Sequence, residues 1–377
     1  MNLKIKSKEL VETLQLVNSI ASEKAIKEIL KNILLEIEDD NIIFSATDLE
    51  VFIRKIIKID EKISSPPIAF NGKILFDLIK EITNEIEEVN ISFENNKLSL
   101  NITDIGLNSY LNYIDGESFP KKFDISEENY IELELSQLQD YFKKCYFATG
   151  IDPSRKFVEG VLCEFFGDEI RFVATDSNRL ILITDHLENI KSENKISLLF
   201  PKRIPVEILK CNASENNKRV RIYWNLEEKK ALLRIGSNIE IYTRLIDANY
   251  PDYMRVIPSS YNYSLEIEKT KLLNIISLVS IFSEEKSNPQ IYLTLKDNEA
   301  IFEAKSENEG YISKKYKTNQ IYENEFKISF NGRHFRECIK EIDDENLILT
   351  FIDKKKPIKI KPIDNDNHII IIMPMML

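Results

Sequence analysis

The sequence predicts an α+β protein of three similar domains, each with two helices and about eight strands, and three sets of matching segments predict it. First, FNGKILFDLIKEI at 70–82 returns as FNGRHFRECIKEI at 330–342. FPKRIPVEILKC at 200–211 lies between them, so that Phe70, Phe200 and Phe330 are spaced by 130 and 130 residues. Second, IIFSATDLEVFIRK at 42–55 matches IRFVATDSNRLILI at 170–183, and Ala46, Ala174 and Ala304 are 128 and 130 apart, the last without the Thr-Asp pair. Third, each unit opens with an alternating strand that runs into a helix, from Ile5 to Leu10, Leu133 to Leu138 and Ile267 to Leu272. A period near 130 residues is domain-sized and far longer than a solenoid repeat.

Within each unit the order is strand, helix, several strands, helix, strands. Period-two runs such as NYIELEL, NKLSLNITDIGLNSYLNY, KRVRIYW and IYLTLKD mark half-buried strands. LVETLQLVNSI, KILFDLIKEI and KLLNIISLVSIF carry the three- and four-residue apolar spacing of helices. Ser7, Ser136 and Thr270 are placed to cap the first helix of each unit. The polar stretches DISEEN and PSSYNY set the domains at 1–125, 129–252 and 262–377.

Composition excludes several classes. A chain of 377 residues exceeds one ordinary core. Only 9 Gly are present, and neither a Walker-type nor a dinucleotide-binding glycine run occurs, so no nucleotide cofactor is expected. The cysteines Cys145, Cys163, Cys211 and Cys338 lie far apart with no C-x-x-C, which argues for reduced thiols rather than zinc or disulfides. The N-terminus alternates charge and apolarity instead of opening a signal peptide, and no run of about 18 apolar residues exists. A cytoplasmic protein without membrane contact is expected.

Repeated domains leave strand edges open, and open edges invite aggregation unless they are covered or closed. Head-to-tail contact between the first unit of one chain and the third of another closes a ring of six units, of which one chain is half. The helix-forming segments carry +8 of the chain's net −11, leaving −19 for the rest. Basic helices in an acidic protein suit a channel that attracts phosphate without reading bases, and equally suit solvated lysine-rich faces.

Beyond the repeats, three segments are distinctive: Ala174-Thr175-Asp176 leading to Arg179-Leu180; Arg244-Leu245-Ile246 through Tyr250-Pro251-Asp252-Tyr253 to Arg255-Val256-Ile257-Pro258; and Met373-Pro374-Met375-Met376-Leu377. With them the chain resembles, from end to end, the bacterial DNA sliding clamp, the beta subunit of the replicative DNA polymerase III holoenzyme. The resemblance implies a homodimeric ring with helices lining a channel for duplex DNA and with no catalysis. It also implies a pocket for short motifs of the replicative polymerase, an ATP-dependent clamp loader and repair proteins. By matching position its walls are Val158, Thr175, Ser177, Asn178, Arg179, Leu180, Pro251, Arg255, Val256, Pro357, Ile371, Ile372, Met373, Pro374, Met375, Met376 and Leu377. Methionines adapt to varied apolar side chains and arginine anchors polar ones at the rim. Asn178 stands where the family usually has histidine, Met376 where arginine is common and Ser287 where an aromatic often flanks the pocket, so motif preference departs from the usual. The same matching implies that Lys24, Arg155, Lys202 and Arg203 face DNA and that Leu111, Ile281 and Phe282 form the dimer contact.

Two other readings stand beside this one. Asp48 and Asp176 in the paired Ala-Thr-Asp runs are conceivable general bases, although a turn-forming, backbone-bonded Asp is the blander account. His186, His334 and His368 are not spaced as metal ligands. The third reading is a three-domain scaffold that never closes.

Overall fold

The computed structural model describes residues 2–21, 27–59, 65–187, 192–212, 218–282, 289–308 and 310–376. The first repeat contains β1 (Asn2–Lys6), α1 (Ser7–Asn18), β2 (Ile33–Glu38), β3 (Asn41–Thr47), β4 (Val51–Lys58), β5 (Ser65–Phe70), α2 (Gly72–Ile82), β6 (Glu88–Glu94), β7 (Lys97–Ile102) and β8 (Leu107–Asp115). The second contains β9 (Tyr130–Glu134), α3 (Leu135–Cys145), β10 (Gly160–Gly167), β11 (Glu169–Thr175), β12 (Arg179–His186), β13 (Ser192–Pro201), α4 (Arg203–Lys210), β14 (Arg219–Asn225), β15 (Lys230–Ile235) and β16 (Ile239–Arg244). The third contains β17 (Tyr263–Glu268), α5 (Lys269–Val279), β18 (Gln290–Ser306), β19 (Gly310–Asn331), α6 (Gly332–Lys340), β20 (Asn346–Phe351), β21 (Ile358–Pro362) and β22 (His368–Ile372).

The repeat holds at the level of strand register. Phe70 lies opposite Ile33, Phe200 opposite Val161 and Phe330 opposite Ile291, and all three rings are fully buried. Ala46 faces Ile53, Ala174 faces Ile181 and Ala304 faces Ile312. Left-handed residues fall at the same place in each copy: Asp39 (φ 53), Gly167 (φ 62) and Asp297 (φ 53). Asp tolerates this conformation by bonding locally and glycine meets no steric cost there, so different residues make one turn. In the third copy hydrogen bonding to β19 runs on both sides of this turn with a register shift at Asp297, so β18 and β19 each cover the span of two strands and six strands do the work of eight.

The strands assort into two compact units, residues 1–138 with 206–245 and residues 139–205 with 246–377. In the first unit, twelve antiparallel strands follow the order β1-β6-β7-β8-β5-β2-β3-β4-β16-β15-β14-β9. The second unit has an eight-stranded sheet, β13-β10-β11-β12-β22-β21-β20-β17, and the β18–β19 hairpin. The middle repeat therefore contributes β9 and β14–β16 to one sheet and β10–β13 to the other. Each sheet crosses a repeat boundary at a strand junction, β4 against β16 and β12 against β22. Phe52 packs edge-on against Tyr242 at the first, with centroids 6.2 Å apart, in a cluster with Leu34, Ala69, Tyr223 and Leu232. Leu180 and Ile371 hold the same places at the second, with Leu162, Val173, Leu182 and Ile369. Each such side chain contributes about 1.5–3 kcal/mol on burial.

Two helix starts differ from expectation. The Ser7 hydroxyl donates to the Ile86 carbonyl at 2.6 Å, and Thr270 donates to the Glu345 carboxylate, while the flanking residues Lys6 and Glu268 make no side-chain cap. Both hydroxyls sit one or two positions inside the helix, where they tie it to a neighbouring segment. By contrast Asn71 and Asn331 cap α2 and α6, each accepting from two backbone N–H groups.

Candidate functional site

The twin Thr-Asp pairs build one turn twice. Thr47 donates to the Val51 carbonyl at 2.8 Å and Thr175 to the Arg179 carbonyl at 2.6 Å. Asp48 accepts from the amides of Glu50 and Val51, and Asp176 from those of Asn178 and Arg179. The residue between, Leu49 or Ser177, sits at φ 79 in each. These carboxylates are engaged as turn formers, which is the blander of their two readings.

In the second unit this turn meets the end of the chain. After β22 the Met373 amide donates to the Asn178 carbonyl at 2.8 Å, and the Met375 amide donates to the Ser329 carbonyl at 2.8 Å. Pro374 forms a bridge with Phe330. The Ser329 hydroxyl donates to the Met375 carbonyl at 3.0 Å, and Gln290 Nε2 to the Met376 carbonyl at 2.7 Å. The tail is thus stitched between the β11–β12 turn and β18–β19. It borders a cavity of ≈160 Å³ lined by Asn178, Asn331, His334, Met373, Pro374 and Met375. That volume is close to the roughly 150 Å³ of a cavity that holds one benzene ring, so it suits a single apolar side chain.

Of the anticipated wall residues, Asn178, Met373, Pro374 and Met375 line the cavity. Asn331 and His334 line it without having been anticipated. Asn331 caps α6 by accepting from the amides of Arg333 and His334. Burial, and then the Arg179 charge, hold the half-buried His334 imidazole below its ordinary value. Neutral imidazole offers one donor and one acceptor beside the methionines.

Arg179, one of two arginines among the anticipated walls, is engaged within the protein. Its side chain is buried; Nε bonds Asp176 at 2.9 Å, Nη1 bonds Glu337 at 2.7 Å and Nη2 donates to the Phe147 carbonyl at 3.0 Å. It is a strut between the turn and α6. Thr175 is occupied in the turn, and Ser177 accepts from Arg155 at 2.8 Å. Leu180 and Ile371 belong to the apolar cluster, Val158 and Ile372 are buried, and Pro357 is half-buried. Pro251, Arg255, Val256 and Met376 are exposed, Met376 at 92%. Leu377 and Ser287 lie outside the described residues.

Among the basic residues, Lys202 and Arg203 are exposed at the start of α4, and Lys24 lies outside the described residues. Arg155 is exposed but pairs with Asp152 at 2.7 Å as well as with Ser177. Leu111 is half-buried on β8, Ile281 is 60% exposed, and Phe282 is half-buried, 3.9 Å from where a Cβ on Gly310 would lie. His186 is exposed beside Asp168, and His368 is buried at the start of β22. All four cysteines are buried and none is in a disulfide, and burial pushes Cys211 and Cys338 up to about 12, where a thiol is unreactive.

Three family models match the chain in tandem: the DNA polymerase III beta subunit N-terminal domain over residues 1–120, its central domain over 132–252 and its C-terminal domain over 254–376. The chain is 26% identical over 361 residues to the beta sliding clamp of Staphylococcus epidermidis, covering 94% of this chain and 93% of that one. It is 25% identical over 364 residues to that of Staphylococcus aureus, with the same coverage. Its fold matches the DNA polymerase III subunit beta of Pseudomonas aeruginosa at a TM-score of 0.91 and 22% identity, over 100% of both chains. The corresponding Thermotoga maritima structure matches at 0.90 and 22% identity, over 100% of this chain and 99% of that one.

Proposed function

The chain belongs to the DNA polymerase III beta-subunit family, and from that membership we propose how it works as a DNA polymerase processivity factor. Two copies associate head to tail into a ring of six domains that encircles duplex DNA without reading its sequence. In each copy the domains are 1–125, 129–252 and 262–377. The ring slides because phosphate contacts from residues such as Lys202 and Arg203 are weak and replaceable. Threading removes dissociation as a route of escape, and a tethered polymerase then meets its template at high effective concentration.

The observation that carries this reading is the fate of equivalent strands. β4 and β16 cover one another, as do β12 and β22, and these four strands are largely buried. Their counterparts, β8 and residues 310–317 of β19, are half-buried or exposed at every position. On β8 only Tyr113, Ile114 and Asp115 pair with β5, so residues 107–112, paired with β7, and residues 310–317, paired with the second half of β18, each keep one unpaired side, and a second copy can supply that neighbour. A scaffold that never closes is not favoured, because it leaves both edges bare.

The cavity between Asn178, His334 and Met373–Met375 is the seat for one apolar residue of a partner's short motif. The replicative polymerase, an ATP-dependent clamp loader and repair proteins are the partners this implies, in the cytoplasm. No helix among the described residues is long and apolar enough to cross a membrane. The test is retention on DNA after loading: protein on closed circular DNA should persist in high salt and leave once the circle is cut. Equal loss from both forms would remove topological linkage from the account.

A further inference from the structure

We infer that Met373 and Met375 form an oxidative modification site, at which a peroxide acting on their thioethers switches off motif binding in the cavity they line. This form of regulation rests on the pocket reading above.

Methionine is used by position in this chain, not as core filling. The five methionines are Met1, Met254, Met373, Met375 and Met376. Among the described residues the buried apolar side chains are Ile, Leu, Val, Phe, Tyr, Ala and Cys, with no methionine among them. Three of the five fall within residues 373–376, and two of those three, Met373 and Met375, line the cavity of ≈160 Å³. An unbranched thioether adapts to partner side chains of different shapes, which a β-branched residue does poorly. The same sulfur is open to oxidation, which turns an apolar group into a polar one.

Access is graded among the four described methionines. Met376 is 92% exposed, Met254 46% and Met373 40%, and Met375 is half-buried. At each, the sulfur lone pair attacks one oxygen of hydrogen peroxide. The O–O bond breaks, an S–O bond forms and water leaves, so the thioether is oxidised to the sulfoxide and the peroxide is reduced. At Met373 and Met375 the new oxygen arrives on the cavity wall, whereas Met254 and Met376 are not among the lining residues.

Two features make the change a switch. The tail is held by its backbone, through the Met373 amide to the Asn178 carbonyl and the Met375 amide to the Ser329 carbonyl, each at 2.8 Å. Sulfur takes no part in those bonds, so oxidation alters the lining and leaves the tail attached. Asn178 and His334 line the same cavity, and their side-chain N–H groups can donate to a sulfoxide oxygen. An apolar partner side chain must then pack against that oxygen or pull it from its donors. Either leaves a polar group unpaired, which corresponds to an affinity loss of about tenfold or more. Methionine sulfoxide reductase reverses the modification, and binding should return with it.

The experiment treats the full chain with hydrogen peroxide, maps each sulfoxide by peptide mass spectrometry, and titrates a fluorescently labelled synthetic peptide carrying the clamp-binding motif of the same organism's replicative polymerase. The affinity ratio before and after peroxide is read within each variant. The natural chain should lose affinity about tenfold or more, recover it after reductase treatment, and keep its melting temperature. Met254→Leu with Met376→Leu should lose as much, and Met373→Leu with Met375→Leu less than about twofold. Bound peptide should also slow oxidation of Met373 and leave that of Met254 as it was, a readout that needs no variant. Equal affinities once Met373 and Met375 are fully converted overturn the switch and leave the pocket standing. So do a loss cured by replacing Met254 and Met376 instead, a melting temperature that falls with the affinity, or a Met373 that stays unoxidised while Met376 is converted. A peptide that neither binds the untreated chain nor protects Met373 overturns the pocket reading and the switch together.

Discussion

The junction of β12 with β22 and the unpaired strand edges at residues 107–112 and 310–317 are built to one plan, yet one lies in a core and the other in solvent. Arg179, Leu180 and Ile181 are buried against Ile372, Ile371 and Ile370. Their equivalents Gly310, Tyr311 and Ile312 are exposed or half-buried. Backbone and register are shared, so what differs is the presence of a neighbour. Residue choice follows that difference: the closed junction is mostly isoleucine and leucine, while the open strand reads GYISKKYK, with the lysines that discourage indiscriminate edge pairing.

The sharpest way to break the comparison is to place one charge at equivalent positions. Ile181→Asp puts an unpaired carboxylate in a fully buried site and should cost roughly 4 kcal/mol or more in denaturant unfolding. Ile312→Asp should change monomer stability by less than about 1 kcal/mol and abolish the dimer in native mass spectrometry. Similar losses in monomer stability at both sites would mean that the 310–317 edge is already covered within the chain.

Next in size is the strut. Arg179→Ala leaves Asp176 and Glu337 without their shared cation and should lower unfolding free energy by about 3 kcal/mol. Arg155→Ala removes a pair whose cation is half exposed where Arg179 is buried, and should cost less than about 1 kcal/mol. Equal effects would remove the distinction between a built junction and its rim.

The closed junction should also be the acid-sensitive one. Burial, and then the Lys144 ammonium, hold the His368 imidazole down to about 3, against an opposing pull from Asp343. On unfolding it returns to its ordinary value of 6.5. Between those values the unfolded chain binds the extra proton, so the contribution is fully present above pH 6.5 and is lost as pH falls toward 3. His368→Gln should show a shallower loss of stability across that window, and an unchanged slope would exonerate the histidine. The smallest expected effect lies just beyond β22. Met376→Arg adds a cation at an exposed position and should tighten binding of acidic motif peptides about two- to fivefold in a titration. Unchanged affinities would detach this residue from the pocket.

Much of the fold was legible because repeats preserve residue types wherever packing is tight. The buried Phe70, Phe200 and Phe330 and the Ala46–Ala174–Ala304 set are such places. The left-handed set Asp39, Gly167 and Asp297 was not legible, since aspartate and glycine meet one backbone demand by different means. Nor was the division of the middle repeat between two sheets, because alternation marks a strand but not its neighbour. In the pocket the methionine tail could be read. Asn331 and His334 could not, since FNGRH reads as a helix start and gives no sign that the chain's end packs across it. Ser7 and Thr270 misled in the opposite sense, with hydroxyls at helix starts used for contacts to other segments.

The central claim is that the edges of β8 and of residues 310–317 are paired with one another across two copies. Amide hydrogen exchange at 107–112 and 310–317, followed as the protein is diluted, tests it most directly. Both segments should be protected while the protein is dimeric and should lose protection together on dilution to monomers, with β16 and β22 unchanged. Dimers in which those amides exchange as fast as in the monomer would contradict it.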